Sequence, residues 1–253
     1  MLTVIVNSEN GFFLGRHRTA VEKLFKATFL KSKATMNGGK AELGMLKRYI
    51  PAGATTIDIG ANVGDFSRRL SELSEGGLVL AFEPQSLPRS VMTMAGFFRR
   101  ATHIMVLPLA LGDHEGMVTL KVPIKKSKNI GVGLAHIGDE TDFNARFQVK
   151  KELVPLTTLD KVLEHFETGP IAFIKIDVEG GELSVLRGAE KTIAAHRPVI
   201  LCEVEAHQGR FGSTVEELAD FFRTHNYIAR SIETDEIIPF EALEHNTVFT
   251  PAP

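Results

Sequence analysis

The 253-residue sequence has no tryptophan, two tyrosines and a single cysteine. One thiol, Cys202, cannot form an internal disulfide, and no Cys/His cluster is present to hold a structural zinc. Charge of one sign is also lacking: 29 Lys and Arg stand against 31 Asp and Glu, a formal net charge of −2. Such a chain offers no global field to a polyanion, which disfavours a nucleic-acid binder working by phosphate neutralisation. No apolar run approaches the roughly 20 residues that span a bilayer. The N-terminal MLTVIVNSENGFF has neither the basic region nor the small-residue cleavage site of a secretory signal. A cytoplasmic protein without membrane insertion is the expectation. Solenoid repeats and low-complexity tracts are missing as well.

What remains is enough apolar content, 43%, to bury one sizeable core. Residues 1–54 read as an N-terminal helical cap or arm, with one helix over 18–30 and a second over 40–50 that Pro51 stops. Residues 55–253 form the main domain. There, short apolar runs end in an acid or glycine and are each followed by a helix-period segment: 55–60, 78–82, 104–109, 171–176 and 199–204. Runs without strict alternation are what strands buried on both faces look like, so the fold class is α/β, doubly wound and Rossmann-like. Residues 116–122 and 148–155 have period-2 character, and 123–147 between them reads as a substrate loop. At the C-terminal end, 227–232 and 246–250 are expected to pair as an antiparallel hairpin.

In doubly wound sheets, ligands sit outside the carboxyl ends of the strands. The first strand closes with Asp58-Ile59-Gly60-Ala61-Asn62-Val63-Gly64-Asp65, and Glu83 at the end of the next strand follows Gly64 by 19 residues. Gly60 and Gly64 let backbone approach a ligand, while an acid at the distance of Glu83 commonly binds ribose hydroxyls. Asn62 occupies the place of the middle glycine of a dinucleotide fingerprint, and no phosphate-binding Lys-Ser/Thr pair is present. An extra acid, a ribose acid and no phosphate lysine suit an adenosine carrying a sulfonium and an amino-acid tail, which is S-adenosylmethionine. A nicotinamide oxidoreductase is disfavoured further because neither Tyr49 nor Tyr227 has a lysine four residues on.

The blocks Ile57 to Gly64, Phe82-Glu83-Pro84, Thr158-Leu159-Asp160, Ile174-Lys175-Ile176-Asp177-Val178-Glu179-Gly180-Gly181-Glu182 and Val185-Leu186-Arg187-Gly188-Ala189 together resemble the FkbM family of S-adenosylmethionine-dependent methyltransferases. The resemblance covers roughly residues 42–205. It implies a seven-stranded sheet with the last strand antiparallel, and O-methylation of hydroxyls on sugars, polyketides or related small molecules. It also implies Asp58, Gly60, Asn62 and Gly64 around the methionine part of the cofactor and Glu83 on the ribose, with Pro84 beside it. Residues 110–113, including Leu111 and Asp113, would border the adenine. Asp177, Glu179, Glu203 and Glu205 would face the acceptor.

An alcohol acceptor must lose a proton, which calls for a positioned base or a cation that lowers its pKa. Asp177 and Glu203 suit either role, as base or as oxygen ligands to a divalent cation such as Mg²⁺. Lys175 shares a strand face with Asp177 and is expected to pair with an acid or orient the acceptor. Plainer readings compete: Asp177 and Glu179 as a helix cap, Glu182 as a first-turn acid, and His136, His207, Lys125, Lys126 and Lys128 as solvated loop residues. Phe97, Phe98, Phe221, Phe222 and Cys202 read as packing residues. A second functional reading is a non-catalytic S-adenosylmethionine-binding or assembly protein with a degenerate acceptor site. The apolar Leu2–Val6 arm suits addition to a neighbour's sheet edge in a homo-oligomer.

Overall fold

The computed structural model describes residue 44 and residues 46–99, 103–125, 136–137, 147–204 and 213–253. The expected helix over 18–30 and the readings of Lys126, Lys128, Glu205 and His207 lie outside the described residues, as do the side chains of Phe97, Phe98, Lys125 and His136.

The chain runs through β1 (Thr55–Ile59), α1 (Asp65–Leu73), β2 (Val79–Phe82), α2 (Ser86–Arg99) and β3 (Ile104–Leu107). It leaves this alternation for β4 (Ala110–Leu111), β5 (Gly116–Lys125), β6 (His136–Ile137) and β7 (Phe147–Thr157). Then follow α3 (Leu159–Leu163), β8 (Ile171–Ile176), α4 (Glu182–Arg187), α5 (Glu190–His196), β9 (Val199–Glu203) and α6 (Val215–Thr224). The strands β10 (Tyr227–Ser231), β11 (Ile237–Ile238) and β12 (Asn246–Pro251) complete the order.

The main sheet has the order β11-β10-β12-β9-β8-β1-β2-β3. Strands β3, β2, β1, β8 and β9 pair in parallel, and β12 runs antiparallel to both β9 and β10. The antiparallel last strand and the C-terminal hairpin are therefore as the sequence reads. The sheet has eight strands rather than seven because the chain after β10 turns back through Asp235, at φ 61°, and lays Ile237–Ile238 along the edge. Strands buried on both faces explain the unbroken apolar runs. On one face Ile57, Ile59, Phe82, Ile174 and Ile176 pack with Leu183, Leu186, Ile193, Leu218 and Phe222 from α4, α5 and α6. On the other, Val79, Phe173, Leu201 and Val248 pack with Leu70 of α1 and with Leu46 and Ile50 ahead of β1. Each such side chain contributes about 1.5–3 kcal/mol by leaving water. Phe222 and Phe249 stack at a centroid separation of 3.5 Å, joining α6 to β12. Thr214 and Glu217 close a reciprocal capping box that starts α6. No helix among the described residues is long and apolar enough to cross a membrane.

The second sheet, ordered β4-β7-β5-β6, takes 123–125, 136–137 and 147 of the expected 123–147 loop into strands, and the rest of that loop lies outside the described residues. Pairing of β5 with β7 runs from Gly116 opposite Leu156 to Lys125 opposite Phe147, so both ends of the expected loop belong to strands. The period-2 pattern has its cause here: Val118, Leu120, Val122, Val154 and Leu156 share the inward face. Glu152 of β7 ties this sheet to the first turn of α2, accepting from Ser86 N at 2.9 Å and Ser86 Oγ at 2.8 Å.

At the junction between α4 and α5, a Cβ on Gly188 would stand 1.9 Å from the Gly112 carbonyl oxygen. Backbone cannot yield to that, so Gly188→Ala is expected to cost at least about 3 kcal/mol in urea unfolding. Gly116→Ala, where nothing lies within 4 Å, should cost under about 1 kcal/mol.

Candidate functional site

The main sheet reverses strand order between β1 and β8, and a cleft opens at their carboxyl ends. Its floor is the turn after β1. Gly60, at φ 80°, has no room for a side chain, since a Cβ would lie 1.8 Å from the Asp177 carbonyl oxygen. The same turn holds Asn62 at φ 51° and Gly64 at φ 86°. Gly60 N and Ala61 N both donate to the Phe82 carbonyl at 3.0 Å, locking the turn to the end of β2. The cleft has a volume of about 130 Å³ and is lined by Ile59, Gly60, Asn62, Phe82, Glu83, Pro84, Gln85, Leu109 to Leu111, Leu120, Asp177, Val178 and Glu179. A few polar groups on apolar walls is the usual make-up of a small-molecule site.

Glu83 is 6% exposed, and its carboxylate accepts from Asn62 N and Gln85 N, each at 2.7 Å. Burial nonetheless dominates and pushes this carboxyl up from 4.5 to about 7. On either side of it, Asn62 Oδ1 and Gln85 Nε2 are buried without a hydrogen-bond partner. An unmet buried polar atom costs roughly 1–3 kcal/mol, so an unmet acceptor and an unmet donor beside a cleft mark where a ligand completes the structure.

Three expected positions fall elsewhere. Asp58 is fully buried and does not line the cleft; alternation along β1 turns it towards α1, where Ser67 Oγ donates to it. Gly64 supplies the left-handed N-cap of α1, and a Cβ there would meet Met92 Cγ at 2.6 Å. Asp113 is exposed and turned to His114, whose ring nitrogen lies 2.6 Å from its carboxylate and holds it below the usual range. Pro84 and Leu111 do line the cleft.

At the carboxyl ends of β8 and β9 the structure brings Lys175, Asp177 and Glu203 together. Lys175 Nζ donates to Asp177 Oδ2 at 2.7 Å and lies 3.9 Å from Asp58 Oδ1. Burial alone would lower this ammonium's pKa, but the two carboxylates outweigh it and hold it raised. Asp177 is likewise opposed by burial and held below the usual range by Lys175 and by a hydrogen bond with Glu203. Asp58 is raised by burial in spite of Lys175 and Ser67. His245 Nε2 stands 3.0 Å from Glu203 Oε1. Glu179 lines the cleft at φ 59°.

Glu182 does more than start a helix: 1% exposed, it accepts from Val178 N at 3.0 Å and Gly180 N at 3.1 Å, clamping the turn that carries Glu179. Sequence reasoning missed Gln85, Leu120 and His245. Gln85 adjoins a recognised block, whereas Leu120 and His245 reach the site through long-range pairing that no local pattern shows. No group of three or more His, Cys, Asp or Glu among the described residues is arranged to hold a metal ion.

A glycine-floored cleft at the switch point, with an acid ending β2 and an antiparallel last strand, defines a Rossmann-like methyltransferase. The model of the methyltransferase FkbM domain matches residues 58–229, and the chain belongs to the FkbM family of S-adenosylmethionine-dependent methyltransferases. The AMB antimetabolite synthetase AmbE of Pseudomonas aeruginosa is 26% identical over 219 residues, 75% of this chain and 10% of that protein. Methyltransferase sdnD of Sordaria araneosa is 27% identical over 164 residues, 56% of this chain and 62% of that protein. The chain thus spans a tenth of one curated relative and under two thirds of the other. The crystal structure of an FkbM methyltransferase from Methylobacillus flagellatus aligns with a TM-score of 0.48 at 17% identity, over 78% of this chain and 43% of that one.

S-adenosylmethionine fits these residues: Glu83 and the unmet Asn62 and Gln85 amides suit a nucleoside, and the Gly60 turn admits it closely. Because folding raises the Glu83 pKa from 4.5 to about 7, the folded state binds the proton more tightly. Its contribution to stability is present below pH 4.5 and lost as pH rises through about 7, a change of about 3 kcal/mol. Unfolding free energies measured from pH 5 to 8 should fall with pH in the wild type, and Glu83→Gln should flatten that slope.

Proposed function

We propose that the chain is an O-methyltransferase that transfers a methyl group to a hydroxyl of a small molecule or glycan. The observation that carries this reading is the carboxylate pair Asp177 and Glu203, held by Lys175 and His245 beside the cleft. An ionised carboxylate at the reacting end suits a hydroxyl acceptor, which must shed its proton during transfer. The names of the relatives, a methyltransferase and an antimetabolite synthetase, agree with a small-molecule acceptor.

When bound, S-adenosylmethionine supplies an electrophilic methyl group on its sulfonium. Glu83, with Asn62 beside it, binds the nucleoside, and the apolar walls from Leu109 to Leu111 and Leu120 exclude water. Lys175 donates to Asp177 Oδ2 and, with the hydrogen bond to Glu203, holds the carboxyl below its usual range, so that the Asp177 and Glu203 pair is the group to take the acceptor's proton. Asp58 acts from beneath, adding a second negative charge that fixes Lys175. A divalent cation such as Mg²⁺ finds a poorer fit, since Lys175 already donates to Asp177 Oδ2 and no third carboxylate or histidine among the described residues joins Asp177 and Glu203 as a ligand.

Titration of the purified protein with S-adenosylhomocysteine, with NAD as a control, should give micromolar binding of the sulfur ligand alone. With an acceptor found by screening sugars and polyketide alcohols, Asp177→Asn should lower kcat at least about 100-fold, while the S-adenosylhomocysteine Kd changes little. Assays with EDTA and with added Mg²⁺ separate base from cation. Undiminished turnover in Asp177→Asn would remove the proposed base, and methylation confined to nitrogen or carbon acceptors would overturn the O-methyl reading.

A further inference from the structure

Gln85 immediately precedes α2, a place where Ser, Thr, Asp or Asn would turn its side chain onto the first helical N–H groups. Here Ser86 N is met by Glu152 from the second sheet, and Pro88 brings no N–H to the first turn, so little of the helix start is left for a side chain at Gln85 to cap. The Gln85 backbone N–H is fixed on Glu83 Oε1 at 2.7 Å, and the residue is 4% exposed while lining the cleft. Its Nε2 is buried and has no partner. A cap is made by a side-chain oxygen, so the Nε2 donor takes no part in one; held in place through its backbone, it lacks an acceptor.

We infer that Gln85 is a specificity-determining residue of the nucleoside end of the cleft, its side-chain amide donating to an acceptor atom of the bound nucleoside, a ring nitrogen or a ribose oxygen. This rests on the cofactor reading above and assigns a role to a residue outside the recognised sequence blocks. The surroundings support it. Glu83, next in the cleft, is the group suited to hydroxyl donors, whereas Leu109, Ala110 and Leu111 are apolar walls suited to a base. Between them a nucleoside presents acceptor atoms at the junction of base and sugar, and Gln85 is a lining side chain there with an unmet donor. Asn62 Oδ1, the unmet acceptor, complements it by suiting a ligand donor.

The test is a set of titrations of wild type and Gln85→Met, a variant of similar shape without the amide, with folding checked by circular dichroism and thermal melting. Three probes are used: S-adenosylhomocysteine, its 3-deaza analogue, which lacks the purine N3, and its 2′-deoxy analogue. The wild type should bind one analogue about tenfold more weakly than the parent, and the methionine variant should bind the parent about tenfold more weakly while losing that discrimination. Loss against the 3-deaza analogue assigns the base, and against the 2′-deoxy analogue the ribose. A purely structural role would weaken all three probes alike and leave discrimination intact, which overturns the inference. So does a methionine variant that binds the parent as the wild type does. Wild type that binds no S-adenosylhomocysteine sinks the cofactor reading itself, a failure separate from either result. If Gln85→Met does not fold, Gln85→Glu, which keeps the shape and replaces the donor by an acceptor, takes its place, and an unchanged preference among the three probes in that variant overturns the inference.

Discussion

The site depends on the contact between Gly60 and the main chain of Asp177. A hydrogen is all that fits between them, and Asp177 N completes the contact by donating to the Ile59 carbonyl at 3.0 Å. The turn after β1 and the turn after β8 are thereby fixed against each other. One carries the groups suited to a nucleoside, the other the carboxylates suited to an acceptor. Any side chain at Gly60 would part the two halves before it met a ligand, so the glycine serves the architecture as much as the cofactor.

A second constraint is electrostatic. Lys175 lies opposite Asp58 in the β1/β8 register and two residues before Asp177, and its side chain is 12% exposed. A buried cation between a buried and a half-buried carboxylate is tolerable only because each charge answers another. The arrangement leaves one of the carboxylates, Asp177, ionised at the cleft while the other is sealed beneath it. At Glu83 the balance differs, since two backbone donors and the charge of Arg89, whose guanidinium sits on the Glu83 main-chain carbonyl, oppose burial without overcoming it.

Much of this was legible in the sequence because local rules apply to it. Strands buried on both faces leave unbroken apolar runs, and Gly60, Glu83 and Asp177 sit at their ends, where parallel sheets bind ligands. The second sheet was half legible: period-2 segments at 116–122 and 148–155 announced strands, yet their pairing spans a long insertion and supplies Leu120 to the cleft. Asp58 stands apart for a different reason. Its position in the motif pointed to the ligand, but side-chain alternation turns it under α1, and only the presence of Ser67 there reveals its role. Gln85 gave no signal, because what singles it out is a buried side-chain donor left unmet at the cleft, which only the packed structure shows.

The most direct measurement is amide hydrogen exchange with and without saturating S-adenosylhomocysteine. A cleft built on the Gly60 turn predicts slowed exchange in peptides covering 59–64, 82–86 and 177–180, with little change across the C-terminal hairpin at 227–251. Binding that leaves those three segments unprotected, or protects the hairpin instead, would place the ligand elsewhere and contradict the account.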